Sequence, residues 1–303
     1  GGASRAAPAA TPASRGQGTS TLHTVRHAAG TRNYVLYEPP GSETPSATGM
    51  PLLVMLHGCT QSPDDFATGT RMNALADAHG VLVAYPEQTA RDNGSRCWNW
   101  FRREDQQRGR GEPALLAAVV EDIASRRGVD RSRVYVAGLS AGAAMAVILG
   151  RTYPEVFAAV GAHSGLPYAA AQDVPGAFAA MQGRGAPRSR PDAGPSVPTI
   201  VLHGTADRTV QAGNGEAIVD DALAAHAGGG ALRKDVADAR MLNGRQVTHI
   251  VYAGADGRAP VEHVVIQGAG HAWSGGDPAG SHTDAQGPDA SALILAFCLR
   301  HAR

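Results

Sequence analysis

Segment 134–153 constrains the fold more than any other part of this sequence. It begins with the apolar run VYVAG, which predicts a strand buried on both faces of a sheet. The run AGAAMAVILG follows after only two residues, and it predicts a helix over 141–153. A strand that leads so directly into a helix is typical of sheets whose strands run parallel, with helices packed on their faces.

The same alternation of strands and helices continues along the chain. Apolar runs predict further strands at 33–39, 51–57, 81–85, 160–163, 199–203, 248–252 and 263–267. Helical spacing predicts helices at 64–79, 112–127, 215–226 and 289–300. We therefore expect one α/β domain over residues 26–303, with a mostly parallel central sheet and helices on both of its faces.

Two segments depart from this alternation. Residues 1–25 are dominated at their start by Ala, Pro, Gly and Ser, which bury little surface, and we expect a disordered lead or linker. Residues 166–197 contain the irregular stretch QGRGAPRSRPDAGPS. A segment of that length inside a compact domain is typical of a lid or an irregular insert. The segment contains three arginines: Arg184, Arg188 and Arg190. They would either bind an anionic substrate or simply face solvent.

Composition argues against several classes of function. The 27 Lys and Arg residues balance the 27 Asp and Glu residues, so the charge gives no reason to expect a nucleic acid partner. No apolar run is long enough to span a bilayer. The sequence has neither a glycine fingerprint for a dinucleotide nor a ligand spacing that indicates a metal ion, so we expect no cofactor. The oligomeric state stays open.

The turn between the strand and helix of 134–153 carries the pattern G-x-S-x-G at residues 138–142. In this context the pattern predicts a nucleophile elbow, in which the flanking glycines relieve crowding where the backbone doubles back. Ser140 would then be exposed at the carboxyl edge of the sheet, above a helix N-terminus. The alternative is a structural turn rich in glycine. We predict that Ser140 is a nucleophile.

A serine hydroxyl needs a base, and the base needs an orienting carboxylate. In this arrangement the chain order is serine, then the acid, then histidine. Asp207 follows the predicted strand TIVLHG and His271 follows the predicted strand HVVIQG, so both lie where an open α/β sheet assembles its site. We predict that Asp207 and His271 complete a triad with Ser140.

Other residues of the same types compete for these roles. Asp173 lies in the irregular segment, and Asp220 and Asp221 lie on a predicted helix. His163 ends a strand beside the elbow, and we predict that it lines the substrate site. The remaining histidines after Ser140 are His203, His249, His263 and His282, and a lone histidine is more often a structural residue than a base. This interpretation fits best for His203 and His263, which lie within strand patterns.

An acyl-transfer reaction also needs donors for the developing oxyanion. We expect one to be the backbone N–H of Ala141, directly after the nucleophile. The other candidate is the N–H of Cys59, in the loop after the strand LLVMLH. The alternative for that loop is an ordinary strand terminus.

Aromatic residues and cysteines gather in the loop segment CWNWF at 97–101. Trp98 and Trp100 either fill a core edge or contact substrate, and the pattern leaves both open. Trp273 lies two residues after His271, so we predict that it contributes to the substrate site. Of the three cysteines, Cys298 lies in an apolar run, which leaves Cys59 and Cys97 as a candidate pair.

Several blocks of sequence together resemble the polyhydroxybutyrate depolymerase-type esterase family. They are LHGCTQSPDDFA, RCWNWF followed by RGRGEP, VYVAGLSAGAAMA, LHGTADRTV and GAGHAWSGG, in this order. The resemblance implies a single α/β-hydrolase domain with Ser140, Asp207 and His271 as its triad. It also implies an oxyanion hole at Cys59 and a disulfide between Cys59 and Cys97.

The resemblance implies a serine carboxylesterase that hydrolyses short-chain polyester or oligoester bonds through an acyl-enzyme. Alternative substrates on the same scaffold are feruloyl or acetyl esters of plant polymers and polyaspartate amides. A non-catalytic hydrolase-like binding protein is a third reading, but such proteins usually lose a triad member. A disulfide would favour a secreted or periplasmic protein.

Overall fold

The computed structural model of the protein describes residues 15–185 and 197–303. Within these residues eleven strands form one sheet and two short strands form a second. In chain order they are β1 Thr19–His27, β2 Gly30–Glu38, β3 Met50–Leu56, β4 Leu82–Pro86, β5 Val129–Leu139, β6 Ala159–His163, β7 Thr199–Gly204, β8 Arg233–Val236, β9 Arg240–Leu242, β10 Arg245–Ala253, β11 Val261–Ile266, β12 Trp273–Ser274 and β13 Thr283–Asp284.

The large sheet has a parallel centre with antiparallel edges. Its strand order is β1-β2-β4-β3-β5-β6-β7-β11-β10-β8, and β9 also pairs with β10. The six strands from β4 to β11 in this order pair in parallel. The pairs outside them are antiparallel. The carboxyl ends of the central strands therefore meet at one edge, where ligand sites of open α/β sheets form.

Helices cover both faces of the sheet, as the sequence predicts. Residues alternate between faces along a strand, so Val134 and Val136 of β5 belong to one hydrophobic cluster, and Tyr135 and Ala137 to another. The helices are α1 Pro63–Thr70, α2 Met72–His79, α3 Gly111–Arg126, α4 Ala141–Thr152, α5 Val174–Met181, α6 Gly213–His226 and α7 Ala290–Leu299. The first cluster includes side chains of α3 and α4, and the second includes side chains of α1, α2 and α7.

The expectation of a disordered lead over residues 1–25 is wrong for the last residues of that range. Residues 1–14 lie outside the described residues, but Thr19–His27 forms β1, which pairs along its whole length with β2. Only Val25 of this strand is buried, so the strand is held by backbone pairing and leaves almost no hydrophobic pattern to read.

Two other expectations also need correction. The predicted helix 64–79 is two helices, α1 and α2, because Arg71 between them has a left-handed φ of 55°. The predicted irregular segment 166–197 contains the regular helix α5, with the Asp173 carboxylate as its N-terminal cap. Residues 186–196, which include Arg188 and Arg190, lie outside the described residues.

Candidate active site

The nucleophile elbow predicted at residues 138–142 is present in the structure. Ser140 joins β5 to α4 with φ 59° and ψ −117°, a strained conformation for a residue with a side chain. The two glycines permit it by their lack of a side chain. A Cβ on Gly142 would lie 2.0 Å from the Leu56 carbonyl oxygen, and one on Gly138 would lie 2.4 Å from the backbone of Gly142.

The structure brings Ser140, His271 and Asp207 together at the carboxyl edge of the sheet. The His271 Nδ1 lies 2.8 Å from Asp207 Oδ2, and its Nε2 lies 2.9 Å from the Ser140 Oγ. Because an ionised carboxylate only accepts hydrogen bonds, Nδ1 is the donor to it, and Nε2 is left to accept from the serine hydroxyl. This is the tautomer that a general base toward Ser140 requires.

Asp207 is fixed by four hydrogen-bond donors. Its Oδ1 accepts the backbone N–H groups of Thr209 (3.0 Å) and Val210 (2.9 Å). Its Oδ2 faces His271 and, at 3.3 Å, the Nε2 of His203. Burial alone would raise the pKa of Asp207, but the hydrogen bonds from the two histidines and from the Val210 backbone hold it well below its ordinary value. The carboxylate therefore stays ionised beside His271.

The three competing carboxylates lie elsewhere in the structure. The Asp173 carboxylate caps α5 by accepting from the Gly176 N–H at 2.7 Å. Asp220 and Asp221 lie on α6, as the sequence predicts. Among the three alternatives and Asp207, only Asp207 contacts His271 in the described part of the chain.

His163 does not line an open site, which corrects its predicted role. Its backbone carbonyl accepts the Ser140 N–H at 2.9 Å, so it lies directly behind the nucleophile. Its ring is buried, stacks on Trp273 with centroids 5.0 Å apart, and accepts the Ser274 N–H at Nε2. Burial lowers the pKa of His163 to about 3, so the ring is a neutral packing element.

The three tryptophans are also core residues. Their burial corrects the predicted substrate contact of Trp273 and decides for the core alternative at Trp98 and Trp100. Trp98 has no exposed surface and donates its Nε1–H to the His57 carbonyl at 3.1 Å. Trp273 packs edge-on against Phe66 and donates to Ser291. Trp100 is 5% exposed and packs against the neighbouring phenylalanine ring. The three residues thus leave at most 5% of their surface open to a ligand.

The two candidate oxyanion donors flank Ser140. Ala141 is the first residue of α4, where backbone N–H groups have no acceptor within the helix. A Cβ placed on Gly58 would lie 3.7 Å from the Ser140 Cβ, so the Gly58–Cys59 peptide borders the nucleophile. Over residues 15–185 and 197–303, the Cys59 N–H donates to no protein acceptor.

The loop that carries Cys59 is tied down on two sides. The predicted disulfide between Cys59 and Cys97 is confirmed, and it joins this loop to the aromatic segment. On the other side, Gln61 accepts the Gly58 N–H at 2.7 Å and donates to the Ser281 carbonyl at 3.1 Å. The loop is therefore braced against the segment that follows His271.

Sequence reasoning missed several residues around this site. The sequence indicates only a structural role for His203, but its Nε2 lies 2.8 Å from the Val210 carbonyl and 3.3 Å from the Asp207 carboxylate. Gln61 and Glu112 stand out in the sequence only as members of the conspicuous blocks. In the structure Gln61 braces the Cys59 loop, and Glu112 is a buried carboxylate that accepts the Asn99 backbone N–H.

Residues 15–185 and 197–303 hold no group of three or more His, Cys, Asp or Glu side chains that could bind a metal ion. None of their helices is long and apolar enough to cross a membrane.

The fold and the site define the class of the protein. A parallel-centred sheet covered on both faces, an elbow serine after β5, and a carboxylate and a histidine after β7 and β11 are the α/β-hydrolase fold. The chain belongs to the family described as esterase PHB depolymerase, whose family model matches residues 32–233.

Known proteins with similar sequences include depolymerases and esterases. Poly(3-hydroxyalkanoate) depolymerase C of Paucimonas lemoignei is 36% identical over 233 residues, which are 73% of this chain and 54% of that protein. Feruloyl esterase B of Neurospora crassa is 36% identical over 124 residues, 41% of each. The chain thus spans about half the length of these relatives, or less.

Solved structures support the fold. The acetyl xylan esterase from Aspergillus awamori superposes with a TM-score of 0.63 and 20% sequence identity, over 83% of this chain and 94% of that chain. At this identity the likeness shows the shared fold alone.

Proposed function

We propose that the protein is a serine carboxylesterase that hydrolyses short-chain polyester or oligoester bonds. The observation that carries the proposal is the position of the His271 ring, 2.9 Å from the Ser140 Oγ and 2.8 Å from the Asp207 carboxylate. Membership of the esterase PHB depolymerase family supports the same chemistry.

In the first half of the reaction, Ser140 Oγ attacks the carbonyl carbon of the ester while its proton passes to His271 Nε2. Asp207 stabilises the imidazolium that forms, since its carboxylate faces Nδ1. The N–H groups of Ala141 and Cys59 would donate to the oxyanion of the tetrahedral intermediate. That intermediate breaks its bond to the leaving alkoxide, which takes the proton from Nε2 and departs as the alcohol.

In the second half, water replaces the alcohol. His271 Nε2 takes a proton from this water, and the hydroxide attacks the acyl carbon on Ser140. The second tetrahedral intermediate breaks the bond to Oγ, which recovers its proton from Nε2, and a free carboxylic acid leaves. The His271 side chain is 14% exposed, so part of the ring is open to solvent.

The proposal of a polyester substrate rests on similarity to known depolymerases rather than on a pocket in the described residues. Two similar proteins are named as depolymerases of poly(3-hydroxyalkanoate) and poly(3-hydroxybutyrate), at 36% and 32% identity. The Cys59–Cys97 disulfide fits an oxidising compartment. We therefore also propose that the protein acts outside the cytoplasm, on polymer fragments that reach it there.

The test is hydrolysis of amorphous poly(3-hydroxybutyrate), followed by turbidity and by release of hydroxybutyrate oligomers. p-Nitrophenyl butyrate serves as a small-ester control. Ser140→Ala is the matched inactive variant, and Ser132→Ala, on β5 far from the turn, is the matched control. Clearing by the wild type and by Ser132→Ala, but not by Ser140→Ala, would support the proposal. Clearing by Ser140→Ala would contradict it.

The second candidate is an acetyl or feruloyl esterase of plant polymers. It is favoured by the feruloyl and acetylxylan esterases among the similar sequences, at 32–36% identity over about two fifths of this chain. Acetylated xylan and methyl ferulate, assayed beside the polyester, separate the two candidates. Activity on these esters without polyester hydrolysis would support the second candidate.

A further inference from the structure

We propose that Glu112 is a positioning residue for the oxyanion hole, acting through Gln88 and His57 on the peptide group that carries the Cys59 N–H. The inference rests on the proposed function, because it gives that N–H a role in stabilising an oxyanion. Glu112 lies in the first turn of α3, inside the block RGRGEP that the catalytic site leaves unexplained.

Glu112 is a buried carboxylate that gathers donors from three segments of the chain. Its Oε1 accepts the backbone N–H of Asn99, and its Oε2 accepts the side-chain N–H groups of Asn99 (3.0 Å) and Gln88. Arg32 lies 3.4 Å away and supplies a compensating positive charge. Glu112 thus links the start of α3 to the end of β4 and to the segment that carries Asn99. At the same end of α3, the Asp105 carboxylate accepts the backbone N–H of Glu112.

Gln88 transmits this anchor to the oxyanion loop. Its side chain is held by Glu112, Arg32 and the Cys97 carbonyl. Its backbone N–H donates to His57 Nε2 at 3.0 Å. Because that nitrogen accepts, the neutral ring carries its proton on Nδ1. Burial lowers the pKa of His57 to about 4, which keeps the ring neutral.

His57 in turn orients the candidate oxyanion donor. Its Nδ1–H donates to the Gly58 carbonyl oxygen at 2.7 Å. That carbonyl belongs to the same peptide group as the Cys59 N–H, and in a planar trans peptide the two bonds point in opposite directions. Holding the carbonyl against His57 therefore directs the N–H away from the core, toward the Ser140 side of the loop. The same hydrogen bond polarises the peptide and strengthens its N–H as a donor.

One other restraint acts on the same carbonyl: the Gln61 backbone N–H donates to the Gly58 oxygen at 3.3 Å, a longer bond than the 2.7 Å bond from the His57 ring. The remaining restraints fix the place of the loop rather than the direction of the N–H. The Cys59–Cys97 disulfide and the bond from the Thr60 N–H to the Ser95 carbonyl (2.7 Å) hold the chain that follows the peptide. Only the His57 ring contacts the Gly58 carbonyl as a side-chain donor, among the residues that the structure describes. Disturbing the anchor at Glu112 should therefore tilt this peptide without detaching the loop.

The test compares Glu112→Gln with Glu262→Gln. In the first variant an amide N–H₂ would face the donors of Gln88 or Asn99, so the anchor is disturbed at nearly constant volume. Glu262 is an equally buried carboxylate on β11, bonded to His249 and Arg300 away from the oxyanion loop. The readouts are kcat and KM for p-nitrophenyl butyrate, and the affinity for a trifluoromethyl ketone that forms a hemiketal with the serine.

We expect Glu112→Gln to lower kcat by about 10- to 100-fold, short of the loss for removing an oxyanion donor outright. Ketone affinity should fall by the same factor and KM should change little, because the donor acts on the oxyanion and not on the bound ester. Glu262→Gln should leave all three constants near wild type. If Glu112→Gln does not fold, Glu112→Asp keeps the charge, shortens its reach and should show a smaller loss of the same pattern.

Two results would overturn the proposal. One is a Glu112 variant that is folded and loses no more activity or ketone affinity than Glu262→Gln. The other is a loss carried by KM alone, which would indicate damage to substrate binding. A wild type without esterase activity would instead overturn the proposed function, and this inference with it.

Discussion

Asp207→Asn tests the electrostatic arrangement of the site at nearly constant volume. The Asn carbonyl oxygen can keep the two backbone N–H bonds from Thr209 and Val210. Its N–H₂ group must then replace Oδ2, which lies 2.8 Å from His271 Nδ1 and 3.3 Å from His203 Nε2. A donor facing Nδ1 stabilises the tautomer with its proton on Nε2, which cannot accept the proton of Ser140.

The same substitution in another serine hydrolase lowers kcat by about 10⁴, equivalent to about 5 kcal/mol of transition-state stabilisation. We expect a loss of that order for kcat on p-nitrophenyl butyrate, with KM little changed. The matched control is Asp220→Asn on the exposed side of α6, which should stay near wild type. A folded Asp207→Asn protein that keeps more than about a tenth of the activity would refute this reasoning.

Three further predictions concern stability. Cys59→Ser with Cys97→Ser should lower the free energy of unfolding by about 4 kcal/mol, the chain-entropy value for a separation of 38 residues, and an unchanged urea midpoint would contradict it. Gly142→Ala should destabilise the fold by at least about 3 kcal/mol, since its Cβ would lie 2.0 Å from a carbonyl oxygen, whereas Gly94→Ala, with no atom within 4 Å, should change the melting temperature little. Burial raises the pKa of Glu112 from 4.5 to about 7, so its contribution to stability is full below about pH 4.5 and is lost as pH rises through 7. Glu112→Gln should therefore flatten the fall in unfolding free energy between pH 5 and 8, and equal slopes in urea titrations of both proteins would count against this.

The parts of the fold that could be predicted from the sequence are those with a continuous apolar signal. The signal is strongest in β3, in β4 and in β5 from Val134 onward, where nearly every residue is buried. β1 gives no such signal, because eight of its nine residues are not fully buried and its pairing with β2 rests mainly on backbone groups. Such an edge strand can be recognised only once its partner is in place.

The triad could be located because its members lie at strand ends, which a linear pattern reveals. The aromatic residues could not be assigned in that way. Trp273 lies two residues after His271, yet its side chain points into the core between Phe66 and His163. Proximity along the chain does not decide on which side of the backbone a ring lies, and large rings favour the interior.

The network under the oxyanion loop was also beyond prediction. Arg32, Gln88 and Glu112 are separated by 24 to 80 residues in sequence and meet only through the fold. A buried carboxylate in a helix looks, in a sequence, like any solvated glutamate. Its role becomes visible only through the donors that surround it.

Covalent trapping of the nucleophile is the most direct test of the central claim. Diethyl p-nitrophenyl phosphate should react with the wild type as the Ser140 Oγ displaces p-nitrophenolate, and His271 takes the serine proton. Intact-mass and peptide mass spectrometry should find one diethyl phosphoryl group, located on Ser140, together with complete loss of esterase activity. Ser140→Ala should take up no label. Labelling of the alanine variant, or a label located on another residue of an inactivated wild type, would contradict the account.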